Sequence, residues 1–175
     1  REVSQIYWIG SPKFTAGHPA PLIALVHHRM VGTLRSTDAA FTSTAGREAS
    51  TTFGVGYGCG RTGHPTTAHV HQYVRLGDQA WGNGNWDPSG AWDDRYPTTL
   101  INSRTVSIEH HDNGGAQAGS GKKGVVPEAV IAATRNLLAN IRPGTKSVAT
   151  SISGYSVIVK KISLGKATQE ALEQS

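Results

Sequence analysis

The sequence contains one cysteine, no long apolar run and, after Asn113, no histidine, cysteine or aspartate. The single Cys59 excludes an internal disulfide bond. No apolar run approaches the ~20 residues that span a bilayer, so no membrane insertion is expected. The first residues, "REVSQIYW", lack the basic and then apolar pattern of a secretory signal. The composition favours one soluble domain over residues 1–175, expected to be a monomer, without an internal disulfide bond and without membrane insertion.

Positive charge is concentrated in the second part of the chain. Nine Lys/Arg balance nine Asp/Glu through Asn113, whereas eight basic and three acidic residues follow, which gives the net charge of +5. In the basic part, aromatic residues do not alternate with the basic ones, and no recognised nucleic-acid-binding motif occurs. No nucleic acid partner is therefore expected. The five glycines between positions 54 and 63 fit neither a Walker motif nor a dinucleotide fingerprint, and this stretch is predicted to be a loop. A solvated surface, or weak attraction to an anionic polymer such as a cell wall, is the simplest interpretation of the charge.

The pattern of apolar residues predicts an α/β fold with a mixed central β-sheet flanked by helices. Helices are expected over roughly 38–49 and over 127–141, the second from its leading proline and its apolar stripe. Strands are expected over 22–27, within 67–77 and over 105–112. In the last of these, alternation places Val106, Ile108 and His110 on one face and Ser107, Glu109 and His111 on the other.

Two strand ends carry residues suited to hydrolytic chemistry. His27 follows the apolar run "LIALV", at the kind of position where open sheets place their sites, and Glu109 shares a strand face with His111. If the two strands are neighbours, His27, Glu109 and His111 converge. A histidine-bound metal would lower the pKa of a water molecule, and a carboxylate would accept the proton. An ordinary solvent-facing glutamate at a strand end is the competing interpretation.

Four short blocks occur in an order typical of a known enzyme family. They are "ALVHH", "TTAHVHQYV", "QAWGNGN" and "NSRTVSIEHHDNG". Together they resemble the zinc-dependent N-acetylmuramoyl-L-alanine amidases, which include phage amidase endolysins and peptidoglycan recognition proteins. The long tryptophan loop and "SIEH" look particularly like actinobacteriophage endolysins. The resemblance covers about residues 20–141, and residues 142–175 are atypical.

The resemblance implies an enzyme that cleaves the amide between N-acetylmuramic acid and L-alanine in bacterial peptidoglycan, with Zn²⁺ as cofactor. It implies that His27 is a zinc ligand, that Glu109 assists the metal-bound water, and that His28 is a packing neighbour. Its cleft tryptophan matches Trp81, and its "AH" histidine matches His69. Further groove residues are expected in the long loop, at Asn85, Trp86 and Trp92. Such an enzyme would act on the bacterial cell wall, and a phage version would be released to the wall by a partner that permeabilises the membrane.

The sequence also departs from the family pattern. Gly82 stands where the family usually has histidine, Arg29 follows the histidine pair, and Ala68 precedes the "AH" histidine. More seriously, the family supplies two further zinc ligands after the second helix, where this chain has no histidine, cysteine or aspartate. A catalytic zinc generally needs three protein ligands.

Three explanations of the missing ligands are open. The chain has lost zinc and only binds peptidoglycan, or another group such as His111 completes a rearranged site, or the last ~30 residues differ from the natural gene. An unrelated α/β domain with structural histidines is a further alternative.

Overall fold

The structure is a computed structural model that describes residues 5–30, 32–46, 48–57, 67–83, 101–111 and 126–142, together with the backbone of 148–150. Its elements are, in chain order, β1 (Ile6–Trp8), β2 (Phe14–Thr15), β3 (Ala24–Arg29), α1 (Leu34–Thr42), β4 (Phe53–Tyr57), β5 (Ala68–Gln72), β6 (Gln79–Ala80), a 3-10 helix (Ile101–Arg104), β7 (Thr105–His110), α2 (Glu128–Ile141) and β8 (Val148–Thr150).

Six strands form one mixed sheet, in the order β1-β5-β4-β7-β3-β8. The β4, β7, β3 and β8 strands are mutually parallel, whereas β5 runs antiparallel to β4 and parallel to β1. The short strands β2 and β6 form a separate antiparallel pair. The predicted α/β class with a mixed central sheet is therefore confirmed.

The main hydrophobic core lies between the sheet and α2. Strand residues that alternate along β3, β4, β5 and β7 pack against one stripe of this helix; the buried members are Leu25, Phe53, Val55, Val70, Val106, Ile108, Val130, Ala133 and Leu137. The helix follows Pro127 directly and ends at Ile141, within one residue of the prediction. The alternation predicted for β7 is confirmed, because Val106 and Ile108 belong to this core.

Helix α1 packs on the opposite face of the sheet, over the glycines of β4. A Cβ atom at Gly54 would lie 3.0 Å from the side chain of Leu34, and one at Gly56 would lie 2.9 Å from that of His111. The predicted loop was therefore wrong for Phe53–Tyr57, which form a central strand. Its glycines leave room for α1, while the residues that alternate with them are large.

The first helix begins earlier than predicted. Thr33 is its N-cap, and a reciprocal capping box with Ser36 satisfies backbone donors of the first turn. The helix spans Leu34–Thr42, so it also ends before the predicted residue 49. Neither of the two described helices is long and apolar enough to cross a membrane.

Candidate active site

The register between β3 and β7 decides which histidine lies beside Glu109. These strands are parallel, and the Cα partner of Glu109 is His28, whereas that of His27 is the core residue Ile108. Since neighbouring residues of paired strands point to the same face, His28 and Glu109 lie on the α1 face and His27 lies on the α2 face. The expected convergence of His27 with Glu109 was wrong, because the two side chains lie on opposite faces of the sheet. A shift of one residue in the register of β3 and β7 would have placed them on the same face.

Glu109 reaches a cavity of about 620 Å³ between α1 and the ends of β3 and β7. Backbone and side-chain atoms of Met30, Thr37, Phe41 and Gly82 contribute to its walls. The Oε2 atom of Glu109 is buried and has no hydrogen-bond partner among the described residues. Burial raises the pKa of this carboxyl, and the charge of His28 opposes the shift. A buried carboxyl with a raised pKa in a cavity is suited to exchanging protons with a bound reactant.

The ring of His28 is oriented by Asn83. Its Nε2 atom is hydrogen-bonded to Asn83 Oδ1. The amide of Asn83 donates from Nδ2 to Thr105 Oγ1 over 2.7 Å, and Thr105 in turn donates its proton to the carbonyl oxygen of Ile101 over 2.7 Å. The backbone N–H of Asn83 donates to Asn102 Oδ1 over 2.8 Å. Because the hydroxyl of Thr105 donates its only proton to Ile101, it accepts the hydrogen bond from Nδ2 of Asn83. This fixes the orientation of the Asn83 amide, so Oδ1 of Asn83 accepts a hydrogen bond from the Nε2–H of His28.

His27 belongs to a different pair, on the α2 face. Its Nδ1 atom lies 3.4 Å from Nε2 of His110, and the two rings stack with their centroids 4.8 Å apart. His110 also contacts the hydroxyl of Thr134 on α2 at 3.0 Å. Burial, followed by the charge of a neighbouring imidazole, lowers the pKa of each of these two histidines to about 4. Both rings are therefore neutral at physiological pH.

His111 lies at the end of β7, on the α1 face as predicted. Its Nδ1 atom is 3.2 Å from the carbonyl oxygen of Gly32, and Tyr57 packs edge-on against its ring. A hydrogen bond to a carbonyl requires the proton to be on Nδ1. The prediction that His111 is a metal ligand stays a prediction.

The described residues do not form the three-ligand zinc site that the family resemblance implies. Among them, no group of three histidine, cysteine, aspartate or glutamate side chains is close enough to hold an ion. They provide instead two separate pairs, His27 with His110 and His28 with Glu109. No catalytic step is therefore derived through zinc.

Of the predicted substrate-binding residues that the structure describes, neither Trp81 nor His69 lines the cavity. Trp81 follows β6 and is half-buried, with its Nε1 donating to Thr15 Oγ1 over 2.9 Å. The adjacent Gly82 lines the cavity, and a Cβ atom there would lie 2.6 Å from the carbonyl oxygen of Ser50, so the turn has no room for the histidine of the family. His69 stacks on Tyr7 at the β1 edge. The predicted groove residues Asn85, Trp86 and Trp92 lie outside the described residues.

Sequence reasoning missed a buried polar cluster beneath α1. Asp38 accepts hydrogen bonds from His71 Nδ1 over 2.8 Å and from the hydroxyl of Tyr73 over 2.6 Å. Burial and the bond to Asp38 raise the pKa of Tyr73. His71 shares a sheet face with Glu109, since both are partners of Gly54 in β4. No sequence signal connects these residues, because they belong to three elements that meet only in the fold.

The fold is similar to that of two bacterial proteins of known structure. The N-acetylmuramyl-L-alanine amidase AmiD from E. coli, solved with anhydro-N-acetylmuramic acid-L-Ala-D-gamma-Glu-L-Lys, matches 74% of this chain at a TM-score of 0.53 and 21% identity. AmpDH3 from Pseudomonas aeruginosa matches 74% at a TM-score of 0.53 and 19% identity. The chain spans 48% and 50% of these two proteins. No protein-family model matches the sequence, and no curated protein matches it. Over about three quarters of its length, the chain thus has the mixed α/β fold of these two proteins.

Proposed function

We propose that the protein is a peptidoglycan hydrolase that cleaves the amide between N-acetylmuramic acid and the L-alanine of the stem peptide. The observation that carries the proposal is the buried Glu109 carboxyl, with one oxygen free of hydrogen bonds among the described residues, at a cavity of about 620 Å³. That volume falls within the range of about 300–1,000 Å³ typical of ligand sites. The similarity to AmiD, whose structure contains a muramyl peptide, indicates which amide the cavity would accept.

Glu109 would act as the proton carrier of the hydrolysis. Its carboxylate accepts a proton from the water that attacks the scissile carbonyl, and the carboxyl then donates that proton to the departing amine of L-alanine. The raised pKa favours the second transfer, because a carboxyl that binds its proton more tightly is available as an acid closer to neutral pH. Gly82, which follows Trp81 in the chain, lines the same cavity as Glu109.

Zinc remains part of this proposal as a cofactor to be tested. The protein would act on the bacterial cell wall, and an endolysin role in a bacteriophage is the setting that the sequence resemblance favours.

A non-catalytic peptidoglycan-binding module is the second candidate. The observation that favours it is that the described residues do not provide three metal donors together. Such a module would retain the cavity and bind muramyl peptides without releasing the stem peptide.

Release of new L-alanine amino termini from purified peptidoglycan distinguishes the two candidates. We expect release by the unmodified protein and a loss of about 10²–10⁴-fold with Glu109→Gln, the usual contribution of a general acid or base. Glu48→Gln is the matched control, since Glu48 is exposed and lies outside the cavity lining. Binding to peptidoglycan without any release would reject the hydrolase proposal in favour of the binding module.

A further inference from the structure

We propose that Trp8 and Phe14 form a saccharide-binding subsite beside the edge strand β1, separate from the cavity at Glu109. The subsite is a cavity of about 260 Å³ whose walls include Trp8, Phe14, Arg75 and Asp78. None of the described residues lines both this cavity and the one at Glu109. The inference rests on the proposed function only for the identity of the saccharide, which would be the glycan strand of peptidoglycan.

The first support is the concentration of exposed aromatic side chains at this edge. Among the described residues, the large hydrophobic side chains that are exposed are Tyr7, Trp8 and Phe14, all in β1 and β2. Trp8 is 55% exposed and Phe14 is 41% exposed. Single exposed hydrophobic residues are common, but a cluster of them at a cavity is typical of a binding surface. The C–H groups of a sugar ring carry a slight positive charge and pack well on the negative face of an aromatic ring.

The second support is the balance of charge at the subsite. Arg75 is exposed and lies over the indole of Trp8, with its guanidinium carbon 5.8 Å from the ring centroid. Asp78 accepts a hydrogen bond from the backbone N–H of Gly17 over 2.9 Å, and its carboxylate has capacity to accept more. The guanidinium and the carboxylate together offer donors and acceptors without a net charge. They therefore suit the hydroxyl and amide groups of a neutral sugar better than an anion, which the carboxylate would repel.

The third support is that the backbone holds the walls of the subsite in place. Gly10 has a φ of 78°, and the indole of Trp8 lies against it, so that a Cβ atom there would be 3.3 Å from Trp8 Nε1. The backbone N–H of Ser11 donates to the carbonyl oxygen of Tyr73 over 2.8 Å. Tyr73 and Val74, which also line the subsite, are fully buried. The subsite is thus formed before a ligand arrives, which limits the entropy lost on binding.

The subsite and the Glu109 cavity are neighbours. Phe41 lines the Glu109 cavity and Tyr73 lines the subsite, and their rings pack edge-on with centroids 5.2 Å apart. The volume of the subsite lies just below the range of about 300–1,000 Å³ typical of sites for whole ligands, so it suits one sugar ring rather than a muramyl peptide. A glycan strand held at Glu109 would therefore place a neighbouring sugar unit in the subsite.

Titration of the full chain with a soluble N-acetylglucosamine trisaccharide, followed in ¹H–¹⁵N spectra, tests the inference. We expect binding that Trp8→Ala weakens by about tenfold and Phe14→Ala by about threefold, because each variant loses a stacking surface. Tyr7→Ala is the matched control and should bind normally, since Tyr7 is exposed on the same strand but does not line the subsite. Arg75→Gln and Asp78→Asn should each weaken binding, because a neutral sugar uses both the donor and the acceptor. Far-UV circular dichroism verifies that each variant is folded.

The indole N–H signal of Trp8, identified by its absence from Trp8→Phe, should shift as the sugar is added. No binding by the unmodified protein at millimolar sugar, or binding that Trp8→Ala leaves unchanged, would overturn the inference. Self-association of the protein that Trp8→Ala abolishes would also overturn it, because a second copy would then cover this surface. Sugar bound at Trp8 without release of stem peptide would leave the inference standing and reject the hydrolase proposal. Release of stem peptide without sugar binding at Trp8 would do the reverse, so the two failures are distinguishable.

Discussion

Acidification is expected to destabilise the protein through the stacked pair of His27 and His110. The pKa of each ring is lowered to about 4 in the folded protein, from 6.5 in a solvated histidine. The unfolded chain therefore binds protons between pH 6.5 and 4 that the folded protein does not bind. Stability associated with these neutral rings is fully present above pH 6.5 and is lost as the pH falls toward 4.

The magnitude follows from the two pKa values. At pH 5, a histidine with these folded and unfolded pKa values contributes about 2 kcal/mol less to stability than at pH 7.5, so the pair contributes about 4 kcal/mol less. This loss is a large share of the ~5–15 kcal/mol that is the usual free energy of unfolding of a protein domain. The protein is thus expected to unfold readily in mildly acidic buffer.

Urea unfolding at pH 7.5, 6 and 5, in metal-free buffer with a chelator, measures this loss as a free energy of unfolding. His110→Gln removes one titrating ring, and the loss between pH 7.5 and 5 should shrink by about 2 kcal/mol. Thr134→Val is the matched control, because it removes the hydroxyl that contacts His110 but keeps both rings. If His110→Gln and the unmodified protein lose the same free energy over this pH interval, the reasoning about buried neutral rings is refuted.

Two further predictions concern the turn at Gly82 and the hydrogen bond between Tyr73 and Asp38. Gly82→Ala should lower the free energy of unfolding by about 1–3 kcal/mol, because the new Cβ atom meets the backbone carbonyl oxygen of Ser50. Gly77→Ala is the control, since a Cβ atom there has open space and should change the stability little. Equal free energies of unfolding for the two variants would contradict this prediction. Tyr73→Phe should cost about 1–3 kcal/mol by removing a buried donor to Asp38, and Tyr7→Phe, at an exposed site, should cost almost nothing in thermal unfolding.

Much of the fold follows from local patterns in the sequence. Alternation in "TVSIEHH" correctly separated the core residues of β7 from Glu109 and His111, because successive side chains of a strand point to opposite faces. The apolar stripe after Pro127 correctly located α2, because its spacing matches the helical repeat. These features depend on neighbours within one element, so the sequence alone determines them.

The candidate site depended on how elements pair, which no single segment specifies. The sequence placed two histidines at the end of β3, but only the register with β7 brought His28, rather than His27, beside Glu109. Similarly, the glycines of β4 looked like a loop until α1 was seen to need the space above them. A strand repeats every two residues, so a one-residue change in pairing exchanges its faces without changing its sequence pattern. The sequence thus determined the elements and the residue types at their ends, and the tertiary structure alone decided which of those residues meet.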